Sequence, residues 1–228
     1  MKFSLKPASF FTAALTAMAF MALCAPSAHA APDPVEKIRK QDVELQKLLR
    51  DKNVSKQTDR VKALINGIFD FEELGRRALG TANWNKMTPA QRTRFVKAFK
   101  AMVENSSVKR LEAYSSDSTR YSPAAVNGDR ATVSARVYSK GSVSVVEYKL
   151  LLKQNEWRAW DLVIDDLSTA GNYGDQFRKI LQKNTLDALI ARIEARAKED
   201  AGAQAQTVTD DVKSKSGKSG ATRPPSDL

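Results

Sequence analysis

The sequence predicts an α+β domain in which a curved antiparallel sheet is covered by several helices. Two observations carry this. Apolar residues recur at helical spacing up to about residue 114, alternate with polar ones over the next fifty or so, then return to helical spacing before residue 199. The strand-like runs also follow one another with no helical pattern between them, which calls for hairpins rather than parallel crossovers.

In chain order, Lys2 and Lys6 precede the apolar run "FFTAALTAMAFMALC", and the small-residue exit "SAHA" follows it. This is the pattern of a secretory leader at residues 1–30, cleaved after Ala30, which places the mature protein in the periplasm. The run is shorter than the roughly 20 residues of a membrane-spanning helix. Leu23, where a small residue is the norm, disfavours acylation of Cys24.

Val35, Ile38, Leu45, Leu48 and Leu49 predict a helix over 34–52, and Val61, Leu64, Ile65 and Ile68 a second over 58–69. A third starts at Asp70 as N-cap and stops at Gly80. "MTPAQRTRF" holds a capping box, with Thr88 as cap, Pro89 in the first helical position and Gln91 bonding back. The long helix it opens is expected to reach about Tyr114, with a row of Phe95, Phe99, Val103, Ser107 and Leu111.

Val133, Ala135 and Val137 then alternate with polar residues after the turn signal "NGD", "SVSVVEYKLLLKQ" makes a second long strand, and "EWRAWDLVID" a third after a short hairpin. A weaker strand near Arg120 and Tyr121 completes the sheet. Two helices follow, one on the stripe Tyr173, Phe177, Ile180 and Leu181, the other on Leu186, Leu189, Ile190, Ile193 and Ala197, capped by Thr185. The expected organisation is therefore a leader at 1–30, one α+β domain at 31–199 and a disordered polar tail at 200–228.

Cleavage after Ala30 removes both the sole cysteine, Cys24, and the sole histidine, His29. Serine-histidine triads, cysteine nucleophiles and ordinary zinc sites all need those side chains, so no metal or cofactor is expected. The formal charge of +11 falls to +9 once Lys2 and Lys6 are lost. In an exported protein this excess suits anionic lipid head groups or an acidic partner rather than nucleic acid.

Three carboxylates, Asp161, Asp165 and Asp166, close the last strand. By alternation Trp160, Leu162 and Ile164 share the inward face, so Asp161 and Asp165 point away from it and serve in capping or ion pairing. The competing reading is an acid/base enzyme in which Asp161, Asp165 or Glu147 acts as base. Phe95, Phe99, Val103, Val137, Val145, Tyr148, Leu150, Trp160, Leu162 and Phe177 either fill the core or line a long apolar cavity, two outcomes with the same sequence pattern. Ser107 in an otherwise apolar row marks missing volume or a cavity mouth.

"RRALG" at 76–80, Trp84, "TPAQRTRF" at 88–95 with Phe99, and the set Trp157, Asp161, Ser168, Asn172, Tyr173, Gln176 and Phe177 resemble the MlaC family of periplasmic phospholipid-binding proteins, over most of residues 35–197. The pattern departs where Asp166 replaces a glycine, Gly174 an arginine and Ser107 a tyrosine. The resemblance implies a fold like that of nuclear transport factor domains with added helices, and a carrier, not an enzyme, that holds a glycerophospholipid with its acyl chains inward. It implies as partners an outer-membrane lipoprotein-porin complex and the lipid-binding component of an inner-membrane ABC transporter. Leu74, Trp84, Ser107 and Tyr173 then join the apolar set above as candidate lipid-binding residues. A hopanoid or other polycyclic lipid is the alternative cargo.

Overall fold

The computed structural model describes residues 32–51, 57–109 and 115–216. The predicted leader, and the predicted last turn of the long helix up to Tyr114, lie outside them. Among the described residues are seven helices and a six-stranded sheet. The helices are α1 (Pro34–Arg50), α2 (Thr58–Ile68), α3 (Phe71–Leu79), α4 (Thr81–Lys86), α5 (Pro89–Lys109), α6 (Thr169–Leu181) and α7 (Leu186–Ser216). The strands are β1 (Ser118–Tyr121), β2 (Ala125–Asn127), β3 (Arg130–Ser139), β4 (Ser142–Lys153), β5 (Glu156–Ile164) and β6 (Leu167–Ser168). All strand pairings are antiparallel, in the order β1-β3-β4-β5-β6, with β2 also on β3.

The expected caps hold the helices in place. Asp70 accepts from Glu73 N at 2.9 Å, and Gly80 ends α3 at φ 81°, a left-handed conformation that costs glycine little. Thr88 and Gln91 form the reciprocal capping box, with Gln91 N to Thr88 Oγ1 at 3.2 Å and Thr88 N to Gln91 Oε1 at 3.0 Å. Thr185 Oγ1 accepts from Ala188 N at the start of α7.

Three hairpins link β3 to β4, β4 to β5 and β5 to β6 through two-residue turns: Lys140-Gly141, Gln154-Asn155 and Asp165-Asp166. All six residues have positive φ, as the twist-compatible hairpin turn requires. The third hairpin and its strand β6 were not expected, because Asp-Asp is a weak turn signal beside Asn-Gly. Strand β2 was also missed, being only three residues long.

One boundary needs correction. Helix α7 runs to Ser216, so the expected start of a disordered tail at residue 200 falls inside a helix. The Ala, Gln and Lys content of the segment that suggested disorder is also good helix-forming composition. Asp200, placed in the tail by the sequence, is buried. Residues 217–228 lie outside the described residues.

Two apolar clusters form. One joins the helices around Phe95, Phe99, Trp84, Phe177, Leu74, Leu189 and Ile190; the other packs Ile38 of α1 on Ala131, Val133, Leu150, Trp157 and Ala159 of the sheet. Trp157 Nε1 donates to the Pro32 carbonyl at 2.6 Å, tying the entry of α1 to the sheet. The link between α2 and α3 runs along β5, where Asp70 N donates to Ala159 O and Phe69 makes a parallel bridge.

Candidate functional site

Between the two clusters lies a cavity of about 590 Å³. Its helical wall comes from Leu45, Val61, Ile65, Leu74, Met102 and Val103, and its sheet wall from Tyr148, Leu162 and Ile164. The α2–α3 link contributes Ile68 and Phe69, and α6 contributes Tyr173. Polar groups, among them Ser106, Ser107, Asn172 and Gln176, gather on α5 and α6, and Leu167 at the rim is 76% exposed. A volume of this size is in the range of about 300–1,000 Å³ usual for small-ligand sites, and mostly apolar walls suit a hydrocarbon.

Six of the fourteen candidate residues from the sequence meet at this cavity: Leu74, Val103, Ser107, Tyr148, Leu162 and Tyr173. The other eight do not line it. Phe95 and Phe99 stack at 5.7 Å between ring centres, and Phe177 and Trp84 meet them edge-on, so these four rings fill the helical core. Aromatic pairs of this kind add about 0.5–1.5 kcal/mol each beyond their burial, which explains why the volume went to packing. Tyr173, edge-on to Phe99 at 5.1 Å, joins this stack to the cavity wall.

Leu150 is fully buried, but in the cluster under α1. Val137 pairs with Ser144 on the same sheet face as Tyr148, but beyond the residues that line the cavity. Val145 pairs with Arg136 and is 47% exposed, because it belongs to the opposite face from Val146 and Tyr148.

Trp160 misses the cavity for a different reason. Leu150 pairs with Ala159 and Lys149 with Asp161, so Trp160 is the extra residue of a β-bulge. The bulge shifts the alternation by one: Trp157 and Ala159 before it share a face with Leu162 and Ile164 after it. Trp160 instead carries the Arg77 guanidinium 4.1 Å from its ring centre, in a second cavity of about 410 Å³ between α3 and α6.

Two of the three carboxylates make structural bonds. Asp161, buried, accepts from Leu162 N at 2.9 Å, Ala170 N at 2.9 Å and Ser168 Oγ at 2.6 Å. It therefore caps α6 together with Ser168, which accepts from Gly171 N. Asp165 accepts from Val145 N at 2.8 Å and shapes the hairpin with Asp166. None of the three lines the 590 Å³ cavity. Among the described residues no group of His, Cys, Asp and Glu could hold a metal ion, and no helix is long and apolar enough to cross a membrane.

The missed wall residues Val61, Ile65, Ile68 and Ile164 were all visible as periodic apolar positions. What was absent was any signal that α2 faces the same space as β4 and β5.

The family model described as MlaC protein matches residues 39–195. The chain belongs to the MlaC family. It is 25% identical over 131 residues to the toluene tolerance protein Ttg2D of Pseudomonas putida, an alignment spanning 57% of this chain and 61% of that protein. Its fold is like that of the phospholipid-binding protein of Ralstonia solanacearum solved in complex with a phospholipid, with a TM-score of 0.65, 20% identity, and coverage of 75% of this chain and 99% of that one.

Two departures of this MlaC protein from the family pattern now have physical readings. Asp166 adopts φ 65°, a conformation in which a glycine is unstrained. At Gly174 a Cβ would sit 3.0 Å from the Ala78 carbonyl oxygen, so a side chain there would require the packing of α3 on α6 to give by a few tenths of an ångström.

Proposed function

We propose that this MlaC protein is a periplasmic carrier whose 590 Å³ cavity takes the acyl chains of a glycerophospholipid. The observation that carries the reading is the cavity itself, an apolar space left between two otherwise tightly packed clusters. Burial of hydrocarbon is worth about 0.8 kcal/mol per methylene, so a dry space of this kind competes effectively for a lipid that water does not dissolve. The use of the Asp161 carboxylate as a helix cap and of the Asp165 carboxylate as a turn acceptor supports a carrier over an acid/base enzyme. The phospholipid seen with the Ralstonia solanacearum protein of the same fold supports the class of cargo.

In this reading the lipid passes between an outer-membrane lipoprotein-porin complex and the lipid-binding component of an inner-membrane ABC transporter. Family membership supports that route, and the leader-like residues 1–30 support the compartment.

The test is solvent extraction and mass spectrometry of the mature protein purified from periplasm without detergent. Near-stoichiometric two-chain phospholipid is the expected result. A polycyclic lipid would replace the cargo, and a protein that arrives empty and takes nothing from vesicles would overturn the carrier reading.

A further inference from the structure

The second cavity, of about 410 Å³ between α3 and α6, is separate from the lipid site: of the described residues only Ser168 lines both. Small residues leave the room for it. Ala78, Ala170, Gly171 and Gly174 lie along its wall, and two guanidiniums meet there from different helices, Arg77 from α3 and Arg178 from α6.

Arg77 is fixed by two contacts. Its guanidinium carbon lies 4.1 Å from the Trp160 ring centre, and its Nε donates to Glu73 Oε1 at 2.8 Å. Arg76 bonds both oxygens of the same Glu73, so one carboxylate serves two guanidiniums and a positive charge is left over. The two Nη groups of Arg77 meet no acceptor among the described residues. Arg178 gives Nη2 to Asp175, but both side chains of that pair are exposed and water screens it. Its Nη1 is 3.8 Å from where a Cβ on Gly174 would stand, beside the cavity wall. The Trp160 indole N–H and the Thr81 hydroxyl, from two further lining residues, form no hydrogen bond among the described residues. The one acid on the lining, Asp161, is already engaged on both oxygens, by Leu162 N and Ala170 N on Oδ1 and Ser168 Oγ on Oδ2.

We propose that this cavity is a second ligand site, one that binds a phosphate group between Arg77 and Arg178. Guanidiniums bind oxyanions through paired N–H donors, and two of them on different helices match a tetrahedral group with three free oxygens better than a planar carboxylate with two. The Trp160 N–H and Thr81 hydroxyl supply further donors at the same wall. The volume exceeds that of a bare phosphate, so an ester substituent also fits. Free phosphate, a soluble phosphate ester and a phospholipid head group share this chemistry.

The test titrates inorganic phosphate into the isotope-labelled mature protein at neutral pH and constant ionic strength, and follows the tryptophan indole N–H resonances by NMR. Trp160→Phe identifies the Trp160 signal, which is expected to shift to saturation, while Trp157, buried under α1, stays still. Arg178→Gln alters an exposed side chain and should weaken phosphate binding by about fivefold or more, the scale of one charge-assisted hydrogen bond in partial contact with water. Acetate and chloride should give no saturable shift. Glycerol 3-phosphate and monomeric dihexanoyl phosphatidic acid then separate the sources: tighter binding of the lipid supports a head group, and binding of free phosphate at least as tight supports a small soluble anion. A Trp160 signal that phosphate leaves unmoved, equal affinity in folded Arg178→Gln, or saturation by acetate at the same concentration would overturn the proposal. The readout does not involve the lipid cavity, so this site stands or falls apart from the carrier reading.

Discussion

Ser168 Oγ donates to Asp161 Oδ2 at 2.6 Å, and this bond fastens the start of α6 to strand β5. The same carboxylate accepts from Ala170 N, so one buried acid satisfies two groups at a helix start. Helix α6 in turn carries Tyr173 to the cavity wall. Asp161→Ala should therefore lower unfolding stability by about 1–3 kcal/mol in urea titration, the cost of leaving buried donors without an acceptor. Lipid content per folded molecule should change little, whereas an enzyme using Asp161 as base would lose its chemistry entirely.

The bulge at Trp160 makes a contrast between neighbours. Leu162→Trp and Val103→Trp place bulk in the cavity and should cut bound phospholipid by about half or more, while Trp160→Phe should leave it unchanged. Lipid-to-protein stoichiometry by mass spectrometry, with circular dichroism as a check on folding, reads the difference.

Glu73 supplies a pH signature. Hydrogen bonds from Arg76 and then Arg77 outweigh the opposing effect of burial and lower its pKa from 4.5 to about 2. A carboxyl whose folded pKa is depressed stabilises fully above its unfolded pKa and loses that contribution as pH falls towards the folded one. For Glu73 the window is from about pH 4.5 to about 2, and the full contribution is on the order of 3 kcal/mol. Glu73→Gln should lower stability at neutral pH and flatten its decline across that window in denaturant titrations at stepped pH.

Gly75 on α3 lies under the stacked rings: a Cβ there would meet Phe95 at 2.9 Å and Phe99 at 3.2 Å. Gly75→Ala gains about 1 kcal/mol of helix propensity but overpacks a closed aromatic core at a cost of about 1–3 kcal/mol. The expected balance is a net loss, measured as a lower Tm, with no comparable loss for Ala at the exposed helical Gly202, where a Cβ meets nothing.

Much of the fold was legible because its signals are local. Thr88 with Gln91, Asp70 with Gly80, and Thr185 all announce helix ends through bonds within one turn, and all of these caps are present. The candidate site was legible only in part. Val103 and Phe99 occupy the same row of α5, yet Val103 lines the cavity and Phe99 is closed in by Phe95, Phe177 and Tyr173. Helical spacing reports that a side chain points inward, and it is silent on whether the space opposite holds another side chain.

The sequence by itself determined the element order, the switch from helix to antiparallel sheet and back, and the lack of histidine and cysteine after Ala30. These follow from periodicity and composition, which act within a few residues of chain. Only the tertiary structure decided that Trp160 sits on a bulge, that α2 and not the α5 aromatics walls the cavity, and that Asp200 is buried beside Arg196. Each of those depends on which distant elements meet, and cavity volume is the remainder after that packing is complete.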